Sequence, residues 1–415
     1  MHWVWWPPIV GLLTFFACAP AGGEARQEAE TSPTPPPTQI AGPTPESAAL
    51  TPTVLAQDPV QELEDAGINT RYWKTDFKKH NVLLTEIMPG GPPKDGIPAI
   101  DTPKLVAVAA ADAWLEEAEP VQVLSLNGEA RAYPLQILIW HEIVNDVVAG
   151  TPVAITYCPL CNTAITFDTR LDDGRVLTFG TTGNLRFSDL IMYDRETESW
   201  WQQITGEAIV GELAGKKLKV IPSSVVAWRE FKRAYPDGTV FSRETGYERD
   251  YGSNPYVGYD SGQPFLYHGP QDKRLPAIER VVTVDINGEA IALPFSALER
   301  EPVVQMTVGG RGVVVFYRKG TASALDTEPI ARGRDIGATG VFDSVADGRR
   351  LTFQLDGVLF KDQETGSHWN LLGQAIDGPL RGSRLTPIVH GNHFWFSWVV
   401  FKPNTKVYVG KDREI

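Results

Sequence analysis

The chain has 415 residues, enough for two or three domains, and its 42% hydrophobic content can fill real cores. It carries 51 acidic against 38 basic residues, a formal charge of −13, and 3 cysteines. That balance excludes the basic stripe of a nucleic-acid surface and a polybasic patch for anionic membranes, so a polar partner is expected to be small or cationic.

From the N-terminus, MHWVWWPPIVGLLTFFACAPAGGEA holds an apolar core from Trp3 to Ala17, followed by Cys18. The run is short and broken by proline, as in a secretory signal rather than a spanning helix. A small residue directly before Cys18 fits a lipoprotein-type cleavage site, although Phe15 stands where Leu is usual and no Lys or Arg precedes the run. The expectation is export to the cell envelope, either anchored by lipid on Cys18 or secreted, with membrane contact through the lipid alone. Residues 19–58, rich in Pro, Thr, Ala, Gly and Glu, lack the apolar content to fold and read as a tether.

The remainder contains itself twice. VQVLSLNGEARAYP (121–134) returns as VVTVDINGEAIALP (281–294), and DRETESWWQQITGEAI (194–209) parallels DQETGSHWNLLGQAI (362–376). Two copies of one unit are expected, a first over 59–260 and a second, degenerate one over 261–415. Each reads as α+β and β-rich, a barrel- or sandwich-like unit with short helices. The Asn-Gly pairs at 127–128 and 287–288 predict hairpins, and FDTRLDDGRVLTFG predicts another around its Asp-Gly. Helices are expected over Pro134–Asp146 and, behind a Ser-Ser cap, Ser223–Ala234. The blocks 59–120 and 242–280 read as irregular wrapping with short helical pieces.

Duplication separates folding from chemistry. In the second copy Arg318 and Thr321 replace Cys158 and Cys161, while Glu301, Arg300 and Gln305 replace His141, Trp140 and Asn145. The second copy also lacks part of GTTGNLRFSDLIMYD, the segment that holds Met192 and Tyr193. Residues lost as a set are expected to act as a set.

The order WHEIVND, TYCPLCNTA, FGTTGNLRFSDLIMYDRETESWWQQITGEAI and SRETGYERDYGSNPYVGYD resembles the bacterial and archaeal family called domain of unknown function 3179, over about residues 95–260. The family's His-Glu-Ile-Val-Asn-Asp and Cys-Pro-x-Cys elements match His141–Asp146 and Cys158–Cys161. The resemblance supplies no reaction.

Several chemistries compete for the cysteine pair. Covalent haem is excluded because Asn162, not His, follows the second Cys. A redox dithiol would sit at a helix N-terminus, whereas Cys161 leads straight into a strand. A disulfide closing so small a loop constrains little of the unfolded chain. A strand–turn–strand knuckle suits a metal, but no second cysteine pair completes a structural zinc site. The expected centre is therefore copper, or zinc with a free position, held by Cys158, Cys161 and His141. Met192 is a possible further ligand or a core filler, and Glu142, Asn145 and Asp146 would orient the ligands from outside. Trp140, Tyr193, Arg249 and Tyr251 would line the pocket, under a roof formed by residues 242–260. A lone His is also commonly a satisfied core residue; His390 and His393, unique to the second copy, could face the site across the repeat interface but are read as surface or structural residues. His-Glu-x-x-Asn lacks the second His of a zinc peptidase. Metal binding or metal-dependent redox is the expected role, with a metal-free dithiol or a non-catalytic binding scaffold as alternatives.

Overall fold

Two Asn-Gly pairs make the firmest local commitments. Asn127 and Gly128 (φ 47° and 89°) and Asn287 and Gly288 (φ 52° and 81°) are all left-handed, as a type I′ turn requires. Each closes a hairpin, Pro120–Leu126 on Glu129–Pro134 and Arg280–Ile286 on Glu289–Pro294. The computed structural model describes residues 58–410 and the backbone of 413–414. These residues fall within one compact unit. Cys18 and nearly all of the 19–58 segment lie outside the described residues.

After each hairpin a proline leads into a helix, Leu135–His141 or Phe295–Leu298. A further antiparallel pair follows: Ile143–Val148 with Thr151–Cys158, and Val303–Val308 with Arg311–Arg318. Both hairpins are closed on one side by an antiparallel strand (Ser224–Ala227; His390–Phe394) and on the other by a parallel one (Thr239–Phe241; Lys406–Gly410). The parallel registers correspond, Thr239 opposite Arg131 and Lys406 opposite Ile291. The chain is thus α+β and β-rich, and its two Asn-Gly hairpins with their flanking strands share order, sense and register. The strands form several small sheets of two to five strands rather than one continuous barrel.

The likeness extends to side chains. Asp194 accepts from the Thr197 amide (2.6 Å) and from Trp201 Nε1 (2.8 Å). Asp362 accepts from the Thr365 amide (2.6 Å) and Trp369 Nε1 (2.9 Å). Each network buries a carboxylate with its lone pairs used, as a folded interior demands.

Both expected helices are shorter than anticipated. The first stops at His141, because Glu142 turns left-handed (φ 59°) and the β-branched Ile143, Val144, Val147 and Val148 join a ladder. His141 and Asn145 therefore do not share a helix face. The second begins at Trp228, and Ser224–Ala227 is a strand instead. The Asp-Gly at 173–174 closes only a single bridge, Arg170 to Val176, before Phe179–Arg186 pairs with Asp189–Asp194.

The largest element of packing for function joins the halves. Cys158, Cys161, Met192 and Trp201 share one buried apolar cluster with Val281, Ala292, Trp395 and Val399.

Candidate metal centre

The Thr151–Cys158 strand ends on the first cysteine, and Pro159–Cys161 forms one tight 3-10 turn. Asn162 takes the left-handed conformation (φ 51°) that lets Thr163 pair back opposite Cys158. Asparagine adopts that region at little cost, so the sequence Cys-Pro-Leu-Cys-Asn encodes the turn directly. Both cysteines are unlinked and almost fully buried.

A second hairpin meets this turn. Phe187 and Ser188 are both left-handed (φ 53° and 67°) and connect Phe179–Arg186 to Asp189–Asp194. The Ser188 carbonyl faces both sulfurs, 3.4 Å from Cys161 Sγ and 3.8 Å from Cys158 Sγ. The Asp189 carboxylate completes the group: ligand atoms of Cys158, Cys161 and Asp189 all lie within 4.8 Å of one another. Gln202 Nε2 (2.6 Å) and the Ile204 amide (3.0 Å) donate to Asp189 Oδ2 and hold the group in place. Asp189 Oδ1 is buried and meets no well-aligned donor among the described residues, though the Cys161 thiol favours the charged form of the same carboxylate. A buried carboxylate beside two thiols is a donor set that could hold a metal ion.

Burial also governs the electrostatics. It pushes the Asp189 carboxyl up to about 7, against the hydrogen bonds that favour its charge. The Cys161 thiol is pushed well above its usual range by burial, then by Cys158 and Asp189. Glu142 rises to about 8, through burial first and the Asp189 charge second. Its carboxylate forms no hydrogen bond within the described residues, so a second proton-holding acid stands beside the cluster.

Tyr256 and Tyr259 cover the cysteine turn. Tyr259 donates to the Leu160 carbonyl (2.9 Å), and burial followed by Glu142 and Cys158 raises the Tyr256 phenol. Ser188 Oγ donates to the Phe265 carbonyl (2.6 Å), which pins the hairpin tip beneath the same segment.

The structure does not bring His141 into the donor group. Its Nδ1 lies 2.8 Å from the Pro98 carbonyl and its Nε2 2.6 Å from the Tyr251 hydroxyl, so both nitrogens are used. Burial lowers its pKa and keeps the ring neutral. Tyr251 serves this histidine rather than the thiols. Asn145 clamps Phe179 through both backbone groups, at 2.9 Å each, and donates to Asp101 (2.8 Å). Gln305 does the same in the second half, bonding the Leu351 carbonyl (3.0 Å) and the Phe353 amide (2.8 Å). An amide with one job in both halves is explained by folding. Asp146 binds Arg131 (2.6 Å) and Tyr133 (2.7 Å), away from the thiols. Met192 is fully buried in the cysteines' apolar cluster. Tyr193 donates to Asp95 (2.5 Å), Arg249 to the neighbouring Glu248 carbonyl (2.9 Å), and buried Trp140 Nε1 has no partner. In the second half Arg318 forms an ion pair with Glu230, and Glu301 accepts from Tyr408 (2.6 Å).

Asp189 is the residue that reading the sequence passes over. Its signal was the hairpin length: Phe179 opposite Asp194 spans six residues more than Phe353 opposite Asp362. That extension carries Ser188 and Asp189 to the cysteines.

Fold and site together define a β-rich protein with a buried Cys-Cys-Asp cluster able to hold a metal ion. The chain belongs to the family described as Protein of unknown function (DUF3179), whose family model matches residues 94–405 and so spans both halves. No curated protein and no solved structure gives a significant match.

Proposed function

We propose that Cys158, Cys161 and Asp189 bind one zinc ion and that this is a metal-binding protein of the cell envelope. The observation that carries the reading is the convergence of two thiols and a buried carboxylate within 4.8 Å. A mixed sulfur and oxygen set suits borderline zinc, whereas copper(I) prefers wholly soft donors. A dication would offset two of the three ligand charges, which lowers the cost of burying them. With three protein ligands, a bound zinc would have a fourth position free and would supply Lewis-acid polarisation of an oxygen there. Glu142, neutral below about pH 8, can hold or release a proton beside Asp189.

The proximity of the sulfurs also supports a metal-free dithiol. Burial opposes it, because only a thiolate attacks and the Cys161 thiol is pushed up. Export with lipid on Cys18 rests on the leader sequence. Among the described residues no helix is long and apolar enough to cross a membrane.

The test is a metal and thiol count on the full chain, purified without a metal-chelating tag. Close to one zinc per chain is expected, lost in Cys158→Ser. Metal-free protein whose two thiols cycle reversibly with glutathione would favour the dithiol.

A further inference from the structure

A cleft of about 170 Å³ opens between the two halves, and neither cysteine lines it. Its walls are apolar, with Ile204 and Val220 from the first half and Trp398 and Phe401 from the second. Its polar groups converge in an ordered way. His393 is almost wholly buried, stacks on Trp398 (centroids 5.1 Å, planes 14° apart), and binds Thr163 Oγ1 through Nδ1 at 2.8 Å. Its Nε2 makes no hydrogen bond to the described residues. The ring occupies this place only because residue 391 is glycine: a Cβ there would lie 2.3 Å from His393 Nε2. At the rim, Lys402 is paired with Asp285 (2.7 Å), while the Lys217 ammonium has no partner among the described residues.

We propose that this cleft binds a small apolar monocarboxylate, with its body against Trp398, its charge near Lys217 and a polar atom on His393 Nε2. The charge balance sets the anion. Lys217 and Lys402 against Asp285 leave one positive charge, which one carboxylate neutralises. His393 adds none, because burial holds it neutral down to about pH 3. Size sets the body. A cavity of about 150 Å³ lined by apolar side chains accommodates a single benzene ring, so this one takes one ring or a short branched chain and excludes a nucleotide. The unbonded imidazole nitrogen inside an apolar cleft is the kind of convergent polar group that fixes a ligand's orientation. Ile204 also holds Asp189 through its amide, but none of the groups assigned to the ligand is Cys158, Cys161 or Asp189, so the titration needs no metal.

The probe is benzoate, titrated against the full chain by ligand-observed NMR or calorimetry, with benzyl alcohol as its uncharged counterpart. Benzoate should bind saturably, and benzyl alcohol about fivefold more weakly, the worth of one partly exposed charge pair. Lys217→Glu lies on the exposed rim and will not disturb folding. It should weaken benzoate by about fivefold or more while leaving benzyl alcohol unchanged. Gly391→Ala should weaken both probes by displacing His393, with its folding checked by circular dichroism. Absence of saturable benzoate binding up to about 10 mM would overturn the proposal, since affinities weaker than that carry no specificity. So would equal affinity for the two probes, or an unchanged benzoate affinity in Lys217→Glu.

Discussion

Asp189 is costly to the protein when no metal offsets its charge. Its folded pKa of about 7 stands above the roughly 3.9 of an unfolded aspartate. Between those values the unfolded chain binds fewer protons than the folded one, so stability of the metal-free protein falls as pH rises from about 4 to about 7. Glu142 extends the fall towards pH 8. Asp189→Asn removes the charge and keeps the shape. Metal-free Asp189→Asn should therefore melt above the wild type at pH 8, by at most about 4 kcal/mol of stability, and at the same temperature near pH 4. Zinc should reverse the order at pH 8, stabilising the wild type and leaving Asp189→Asn unmoved. Calorimetry with and without a chelator reads both outcomes, and wild type and variant that melt together at pH 8 would refute the cost assigned to Asp189. His141 gives the complementary case. His141→Phe strands the Pro98 carbonyl, leaves the Tyr251 hydroxyl with Thr245 alone, and should cost about 1–3 kcal/mol in urea unfolding, with zinc stoichiometry unchanged.

At the scale of elements, the hairpins do different work. Asn145 and Gln305 each bolt one strand to the start of the next hairpin. Asn145→Ala should destabilise by about 2 kcal/mol, with zinc affinity of the folded protein unaltered; lost affinity at full folding would return Asn145 to the site. Local features were legible in the sequence because adjacent residues determine them: the Asn-Gly turns and the Cys-Pro-Leu-Cys-Asn turn each fix their own backbone. The end of the Leu135–His141 helix was not, since the apolar spacing around Val144 suits either element and only pairing with Thr151–Cys158 decides. Asp189 was hidden for a stronger reason. It reaches the thiols by the length of a hairpin opposite Arg186, and no spacing along the chain records which loop tip touches which turn.

Across the whole molecule, the second half completes the first. Val281, Ala292, Trp395 and Val399 fill the apolar cluster around the cysteines, Ser397 Oγ donates to the Cys161 carbonyl (3.3 Å), and His393 holds Thr163. A chain ending at residue 260 should lose its cooperative thermal transition, because several kcal/mol of apolar burial leave with those side chains. A sharp transition in that fragment would show that the first half folds alone. Lipid on Cys18 would tie this unit to a membrane, and Cys18→Ala should move the protein from the membrane to the soluble fraction of the envelope; a variant that stays with the membrane contradicts the anchor.

X-ray absorption at the zinc edge, on full-length protein loaded with one equivalent of zinc, tests the central claim most directly. Two sulfurs at about 2.3 Å and oxygen at about 2.0–2.2 Å are predicted, with no bound zinc left to give that shell in Cys158→Ser and the sulfur shell intact in His141→Phe. A sulfur-free shell, or a spectrum whose imidazole signal disappears in His141→Phe, would contradict the Cys158, Cys161 and Asp189 centre.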